Sequence, residues 1–240
     1  MRIDVLGVGV DSLTLDEAVE RGLALACGEG FGYAVTPNPE FLLLAKQNEA
    51  FRKVLTDASL VIADGIGVVK AAAILGRPLK GKVPGIDFAS GLMAGLAQNG
   101  KRLFLLGSKP GVGSLAAINL QQQYPGLIVC GTHDGYFKED APIIREIQEA
   151  HADVVFVCLG APKQELWMAE HGRSTGARLM VGLGGSLDVF AGVVERAPEA
   201  WQRMGLEWLH RLIKEPKRIG RMAKLPLVLV DATIARLQGK

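Results

Sequence analysis

The stretch Leu60-Val61-Ile62-Ala63-Asp64-Gly65-Ile66-Gly67 joins an apolar run to a carboxylate and two glycines. The apolar run predicts a strand that is buried on both faces, as strands of a parallel sheet are. A helix is predicted to follow, from Val68 to Leu75. Ligands of open α/β sheets bind just beyond the carboxyl ends of the strands, which is where Asp64 is expected. Asp64 is therefore either a partly desolvated general base or the N-cap of the helix.

The chain repeats this alternation of short apolar strands and helices. Further strands are predicted at residues 3–8, 33–36, 102–106, 127–130, 153–159 and 179–183. Strands and helices that alternate at this spacing predict an α/β fold with a mostly parallel, Rossmann-like sheet flanked by helices. Because parallel strands end at the same edge, Thr36 and Asp64 should close two neighbouring strands side by side.

Three loops next to predicted strand ends carry polar residues. In the first, Asn38 followed by Pro39 is a good helix start, although Thr36 has no such structural explanation. The second, residues 76–85, carries Arg77, Lys80 and Lys82, which are either solvated or fold over a phosphate. The third contains Gly107 and Ser108 between a strand and a helix, a geometry that favours anions.

Past Arg196 the pattern changes to helices without strands. Three helices are predicted, at residues 198–213, 216–224 and 226–237, each with a proline near its start. Residues 196–224 carry a formal charge of +5, whereas the whole chain carries +2. We therefore predict an α/β catalytic domain at residues 1–195 and a basic helical appendage at residues 196–240, which suits an anionic partner.

Composition excludes several classes of protein. With 240 residues, 49% of them apolar and 22% charged, the chain is typical of a soluble globular protein. The net charge is too small to indicate a nucleic-acid partner. No signal peptide and no membrane span are predicted, which favours a cytoplasmic protein that is able to touch a membrane surface. Cys27, Cys130 and Cys158 are expected to be free core thiols.

Motifs of common cofactor and metal sites are absent. The sequence has no Asp-x-Asp, Walker A or Gly-x-Ser-x-Gly motif, and its four histidines are scattered, so neither a metal nor a cofactor is expected. Gly107, Gly111 and Gly113 share a spacing with short-chain dehydrogenases, but no Tyr-x-x-x-Lys accompanies them. An NAD(P)-dependent oxidoreductase is thus a remote alternative. The residues themselves indicate an α/β protein that binds a phosphorylated ligand, with possible base catalysis.

Four separated blocks carry a resemblance to a known family. They are Thr36-Pro37-Asn38-Pro39-Glu40, Ala63-Asp64-Gly65, residues 160–165 (GAPKQE), and Arg196-Ala197-Pro198 with residues 205–212 (GLEWLHRL). In this order the blocks resemble the WecG/TagA/CpsF glycosyltransferase family over nearly the whole chain.

The resemblance implies an inverting, metal-independent transfer of N-acetylmannosamine. The donor would be UDP-N-acetylmannosamine, and the acceptor the 4-hydroxyl of N-acetylglucosamine on undecaprenyl diphosphate. Asp64 matches the general base of the family, and Thr36 and Asn38 match residues near the sugar and acceptor. The residues implied to bind substrate are Lys82, Gly107, Ser108, Gln164, Asp188, Arg211, Arg218 and Arg221. Lys82 stands where the family usually has arginine. A lysine can neutralise a diphosphate, but it cannot make the two-pronged contact that an arginine makes.

Other interpretations stay open from the sequence. Relatives use UDP-N-acetylmannosaminuronic acid as the donor, and a non-catalytic protein of the membrane surface would also have a basic tail. The resemblance implies an enzyme at the inner face of the cell membrane, which the appendage would touch as it closes over the site. A homo-oligomer is possible. Deleting residues 196–240 is expected to cost activity more than stability.

Overall fold

The computed structural model describes residues 1–214 and 225–239. Its elements, in chain order, are β1 Arg2–Val5, β2 Val8–Asp11, α1 Leu15–Cys27, β3 Gly32–Val35, α2 Pro39–Gln47, α3 Glu49–Asp57, β4 Leu60–Val61, α4 Ile66–Ile74, α5 Gly85–Gln98, β5 Arg102–Gly107, α6 Val112–Gln123, β6 Ile128–His133, α7 Asp140–Glu149, β7 Val154–Cys158, α8 Lys163–His171, a 3₁₀ turn Gly172–Thr175, β8 Leu179–Gly182, α9 Ser186–Phe190, α10 Glu199–Arg203, α11 Glu207–Lys214 and α12 Leu225–Leu237.

Strands β3 to β8 form one six-stranded sheet in the order β4-β3-β8-β7-β5-β6. Every neighbouring pair in it is parallel. Helices cover both faces, so the predicted α/β fold with a parallel, Rossmann-like sheet is confirmed. The carboxyl ends of β3, β4, β5, β7 and β8 consequently meet at one edge.

The first two strands form a separate antiparallel hairpin. The prediction of a single strand over residues 3–8 is therefore wrong, because the chain reverses at Leu6 and Gly7, which have φ angles of +56° and +85°. Asp11, at the end of the hairpin, accepts a hydrogen bond from the Val61 N–H at 3.0 Å. Its carboxylate also pairs with Arg2 and Arg21. The hairpin thus satisfies part of the outer edge of β4.

The core consists of two layers, one on each face of the sheet. Alternate residues of β7 show the division: Val155 and Val157 belong to one cluster, and Val154 and Phe156 to the other. All four side chains are fully buried. Burial on both faces explains why the strands are continuous apolar runs without polar alternation.

The region after residue 196 contains helices, as predicted, with one difference. The helix predicted at residues 198–213 is two helices, α10 and α11, because the chain turns at Gly205, which has a φ angle of +70°. Helix α12 packs on α4 and α2, where Val228 and Ala232 are fully buried. The helix predicted at residues 216–224 lies outside the described residues. The domain boundary at residue 196 stays a prediction.

No helix among the described residues is both long and apolar enough to cross a membrane.

Candidate active site

Thr36 and Asp64 lie side by side at the ends of neighbouring strands, as predicted. The Asp64 N–H donates to the Pro37 carbonyl oxygen at 3.0 Å, which continues the pairing of β3 and β4 beyond both strands. Asp64 is partly exposed at this edge. The N-cap of α4 is Gly65, so the alternative of Asp64 as the helix N-cap does not hold.

Thr36 and Asn38 both make hydrogen bonds that fix the loop after β3. The buried Thr36 hydroxyl donates to the Gly182 carbonyl oxygen at 3.0 Å and thereby ties β3 to β8. Asn38 Oδ1 accepts from the N–H groups of Glu40 and Phe41 at 2.8 and 3.3 Å, so the predicted N-cap is confirmed. The oxygen of the Asn38 amide is therefore used by the helix, and no bond from its NH₂ group is found within residues 1–214 and 225–239.

Lys82 is held beside Asp64 by the backbone of its loop. The Val83 N–H donates to the Ala63 carbonyl oxygen at 2.8 Å. Lys82 Nζ donates to the Gln202 carbonyl oxygen at 2.8 Å and lies 3.5 Å from Glu207 Oε2. Its positive charge is therefore engaged by the appendage.

An ion pair at the start of α5 anchors the appendage. Arg196 Nη1 and Nη2 donate to the two carboxylate oxygens of Asp87 at 2.6 and 2.9 Å, and Nη2 also lies 3.5 Å from Glu207 Oε1. Gly205, between α10 and α11, lies against Ile66 at the start of α4. Both contacts bring the beginning of the appendage next to the Asp64 turn.

Of the three arginines implied by the resemblance, one belongs to a described helix and two do not. Arg211 belongs to α11, whose backbone is described. Arg218 and Arg221 lie outside the described residues, so their roles stay predictions.

One short segment connects the remaining predicted residues. Residues 182–188, here called the bridging segment, run from the end of β8 into α9. The Gly182 carbonyl oxygen of this segment accepts the bond from Thr36 described above. The Gly184 N–H donates to Gln164 Oε1 at 3.0 Å. Asp188 Oδ1, in the same segment, accepts from the Ser108 hydroxyl at 2.8 Å. The segment therefore collects site residues that follow three other strands.

Gly107 and Ser108 form a tight turn after β5. Gly107 has a φ of +127°, and a Cβ there would lie 2.3 Å from the Cys158 carbonyl oxygen, so only glycine fits. Ser108 donates its N–H to that same oxygen at 3.2 Å. Helix α6 begins a few residues later, at Val112. The start of a twelve-residue helix leaves N–H groups that can face an anion.

Sequence reasoning did not single out Glu165, which neighbours Gln164 and is fully buried. Gln164 Nε2 donates to Glu165 Oε1 at 2.6 Å. Burial raises the pKa of the Glu165 carboxyl to about 7, although the bond from Gln164 opposes that rise. Its only signal in the sequence is its place in the block at residues 160–165, because a glutamate in the first turn of a helix is ordinarily an exposed partner of the helix dipole.

Cys158 is buried, as predicted, and burial raises the pKa of its thiol to about 12. Burial also raises the pKa of the half-buried Cys130 thiol. Cys27 is exposed at the end of α1, so its predicted place in the core is wrong. In residues 1–214 and 225–239, no three His, Cys, Asp or Glu side chains are grouped as metal ligands would be.

Comparison with known proteins gives one consistent result. Residues 3–240 match the model of the glycosyl transferase WecG/TagA/CpsF family. An N-acetylglucosaminyldiphosphoundecaprenol N-acetyl-beta-D-mannosaminyltransferase of Staphylococcus aureus (strain MRSA252) is 36% identical over 238 residues, which cover 98% of this chain and 93% of the relative. The protein of the same name from strain MW2 matches with the same identity and coverage. Neither match supports an oxidoreductase.

Proposed function

The chain belongs to the WecG/TagA/CpsF family of glycosyl transferases, and we propose that it moves N-acetylmannosamine from UDP-N-acetylmannosamine to a lipid-linked acceptor. The acceptor is the 4-hydroxyl of N-acetylglucosamine in N-acetylglucosaminyl-diphospho-undecaprenol. The observation that carries this proposal is the position of Asp64, a partly exposed carboxylate at the carboxyl edge of a parallel sheet beside Lys82.

The reaction is a single displacement that inverts the sugar. The acceptor oxygen forms a bond to the anomeric carbon while the bond from that carbon to the UDP oxygen breaks, and UDP leaves with the electron pair. Asp64 takes the proton of the acceptor hydroxyl as general base. Its backbone is bonded to Pro37, which fixes the turn that carries the carboxylate. Thr36 and Asn38, which follow the neighbouring strand β3, would lie next to the reacting sugars.

The nucleotide would lie along the edge towards β5. Four strand steps separate β4 from β5, or about 19 Å at the usual spacing between strands, and a nucleotide sugar can extend over much of that length. In this proposal Ser108, Asp188 and the first N–H groups of α6 would contact the ribose and diphosphate. Tyr136, which is 70% exposed just after β6, offers a ring on which uracil can stack.

Lys82 supplies positive charge for the departing UDP. A lysine acts as a point charge rather than as a two-pronged donor, so its contribution depends on its freedom to approach the diphosphate. In the structure Glu207 and the Gln202 carbonyl oxygen engage it. Substrate binding would exchange these partners for phosphate oxygens and move the appendage at the same time.

The appendage also meets the membrane in this proposal. Leu227, Val230, Ile234 and Leu237 recur at helical spacing on α12 and are 47–83% exposed, on the face opposite the buried Val228 and Ala232. An apolar stripe that follows, in the sequence, a segment of charge +5 suits the interface of an anionic bilayer, where the lipid-linked acceptor would reside.

A UDP-release assay tests the function. The protein is incubated with a short-chain analogue of the lipid acceptor and a panel of UDP-sugars, with EDTA added to one series. We expect release with UDP-N-acetylmannosamine, undiminished by EDTA, and a β-linked disaccharide product. Preference for UDP-N-acetylmannosaminuronic acid would correct the donor, and loss of release in EDTA would remove the metal-independent mechanism. No release from any donor would contradict the function.

A further inference from the structure

Glu165 is a buried acid that the proposed mechanism does not use. It lies in the first turn of α8 and is fully buried, like its neighbour Gln164, which is 2% exposed. Glu165 Oε2 has no hydrogen-bond partner among the described residues. A buried carboxyl that is only half satisfied destabilises a fold, so its presence calls for a compensating role.

The hydrogen bonds of Gln164 fix the orientation of its amide. Only the amide oxygen can accept from the Gly184 N–H, which lies 3.0 Å away. The NH₂ group must therefore face Glu165, whose Oε1 accepts from it at 2.6 Å. Reversing the amide would set two donors against each other and two acceptors against each other.

Gly182 leaves room for this arrangement. A Cβ at Gly182 would lie 2.9 Å from Gln164 Nε2 and 3.2 Å from Glu165 Oε1. The two side chains therefore pack directly on the backbone of the bridging segment, whose Gly182 carbonyl oxygen also accepts from Thr36. Any change in the orientation of Gln164 would therefore displace the backbone of that segment.

From this geometry we propose that Glu165 is a positioning residue for donor binding. Its bond fixes the orientation of the Gln164 amide, and the amide oxygen in turn fixes the Gly184 N–H. The bridging segment is thereby kept in the conformation in which Asp188 faces the nucleotide. The inference rests on the proposed function, because it assigns the affinity for the donor sugar nucleotide to this chain of bonds. Glu165 itself contacts no substrate.

A double-mutant cycle tests the inference. The variants are Glu165→Met, which removes the acceptor at similar volume, Gln164→Met, and the two combined, with Glu170→Met on the same helix as the exposed control. Loss of a bond to a charged group predicts that Glu165→Met raises the KM for the donor about tenfold or more, with a smaller change in kcat. When Gln164 is already methionine, Glu165→Met should raise the KM for the donor by less than about twofold more, because the amide that Glu165 would orient is absent.

Conservative variants separate positioning from a general structural role. Glu165→Gln keeps an acceptor oxygen and should retain the donor KM within about threefold. Glu165→Asp withdraws the acceptor by one methylene but keeps the carboxyl, and it should raise the KM as Glu165→Met does. It replaces the Met variant in the cycle if that variant does not fold, as judged by circular dichroism.

The outcomes distinguish this inference from the function on which it rests. Additive effects of the substitutions at 164 and 165, an unchanged KM in folded Glu165→Met or Glu165→Asp, or a Glu165→Gln variant as impaired as Glu165→Met would each overturn it. A wild-type protein that releases no UDP would instead contradict the proposed function.

Discussion

The backbone of Asp64 is bonded to Pro37: the Asp64 N–H donates to the Pro37 carbonyl oxygen at 3.0 Å. On the other side, the carbonyl oxygen of Ala63 accepts from the Val83 N–H at 2.8 Å. The turn that carries the carboxylate is thus clamped between the loop after β3 and the loop that carries Lys82. Both bonds use backbone atoms only, so they do not depend on the identity of the side chain at position 64.

Asp64→Asn is expected to lower kcat by about 10²- to 10⁴-fold, the usual contribution of a general base. The amide is nearly isosteric with the carboxylate but takes up no proton. UDP affinity, measured by calorimetry, should stay within about twofold, because in this proposal Asp64 contacts the acceptor hydroxyl and the uridine binds towards β5. Near-normal turnover in a correctly folded variant would remove Asp64 from the role of base.

Glu207→Gln is expected to strengthen UDP binding. Glu207 Oε2 lies 3.5 Å from Lys82 Nζ, and both side chains are about a quarter exposed. A pair of that kind is worth up to about 1 kcal/mol, so releasing Lys82 should lower the Kd for UDP by up to about fivefold. The effect should shrink as salt is added, since the attraction is electrostatic.

The control for Glu207 is Glu195→Gln, which removes an acid of the same region that pairs with Lys214 and is 82% exposed. Weaker UDP binding by the Glu207 variant, with the control unchanged, would show that Lys82 does not serve the diphosphate.

The place of Thr36, Asn38 and Asp64 could be predicted because it follows from general rules. Parallel strands end at one edge, and short polar residues after buried strands must lie there. The capping box of α1, formed by Thr14 and Glu17, is likewise a product of local chemistry. Each of these features follows from a short local pattern in the sequence.

The features that the sequence did not predict depend on contacts between distant parts of the chain. The bonds between Asp87 and Arg196 and between Lys82 and Glu207 join residues more than 100 positions apart. The burial of Glu165 depends on the packing of α8 against β8. No local pattern contains information on such distant contacts. The turn at Leu6, by contrast, is local, and it was not predicted because it lacks an Asn-Gly or Asp-Gly signal and because leucine seldom adopts a positive φ.

Substitution of two valines of α12 is expected to change stability by very different amounts. Val228 is fully buried against the core, whereas Val230, two residues later, is 53% exposed. Val228→Ser leaves a cavity and buries a hydroxyl, at a cost of about 2–4 kcal/mol of unfolding free energy. Val230→Ser should change it by less than about 0.5 kcal/mol. Urea denaturation measures both, and equal stabilities would contradict the packing of α12 on the core.

Val230 is expected to contribute to membrane binding and not to stability. Because Val230 and Ile234 belong to the apolar stripe of α12, the double change Val230→Ser, Ile234→Ser should weaken binding to vesicles that contain anionic lipid. Sedimentation with vesicles measures the loss, and Thr233→Ser on the same helix is the control. UDP affinity in solution should not change. Unchanged vesicle binding by the double variant would exclude this face as the membrane contact.

Glu165 predicts how stability depends on pH. Its pKa is raised by burial from the ordinary value of 4.5 to about 7, so the folded protein holds this proton more tightly than the unfolded chain does. Between these two values the unfolded chain ionises first, and the contribution of Glu165 to stability therefore falls as the pH rises. Below pH 4.5 the group is protonated in both states, and above about 7 it is ionised in both.

Glu165→Gln should remove this dependence, because glutamine keeps the shape of the protonated acid and does not ionise. The difference between the two pKa values corresponds to about 3 kcal/mol as an upper bound, so the variant should unfold roughly 5 °C higher than the wild type at pH 8. At pH 5 the two melting temperatures should nearly coincide. Glu170→Gln, an exposed change on the same helix, should follow the wild type throughout. If the difference in melting temperature between Glu165→Gln and the wild type were the same at pH 5 and pH 8, Glu165 would titrate as an ordinary surface acid. That result would contradict the raised pKa that we attribute to its burial against the bridging segment.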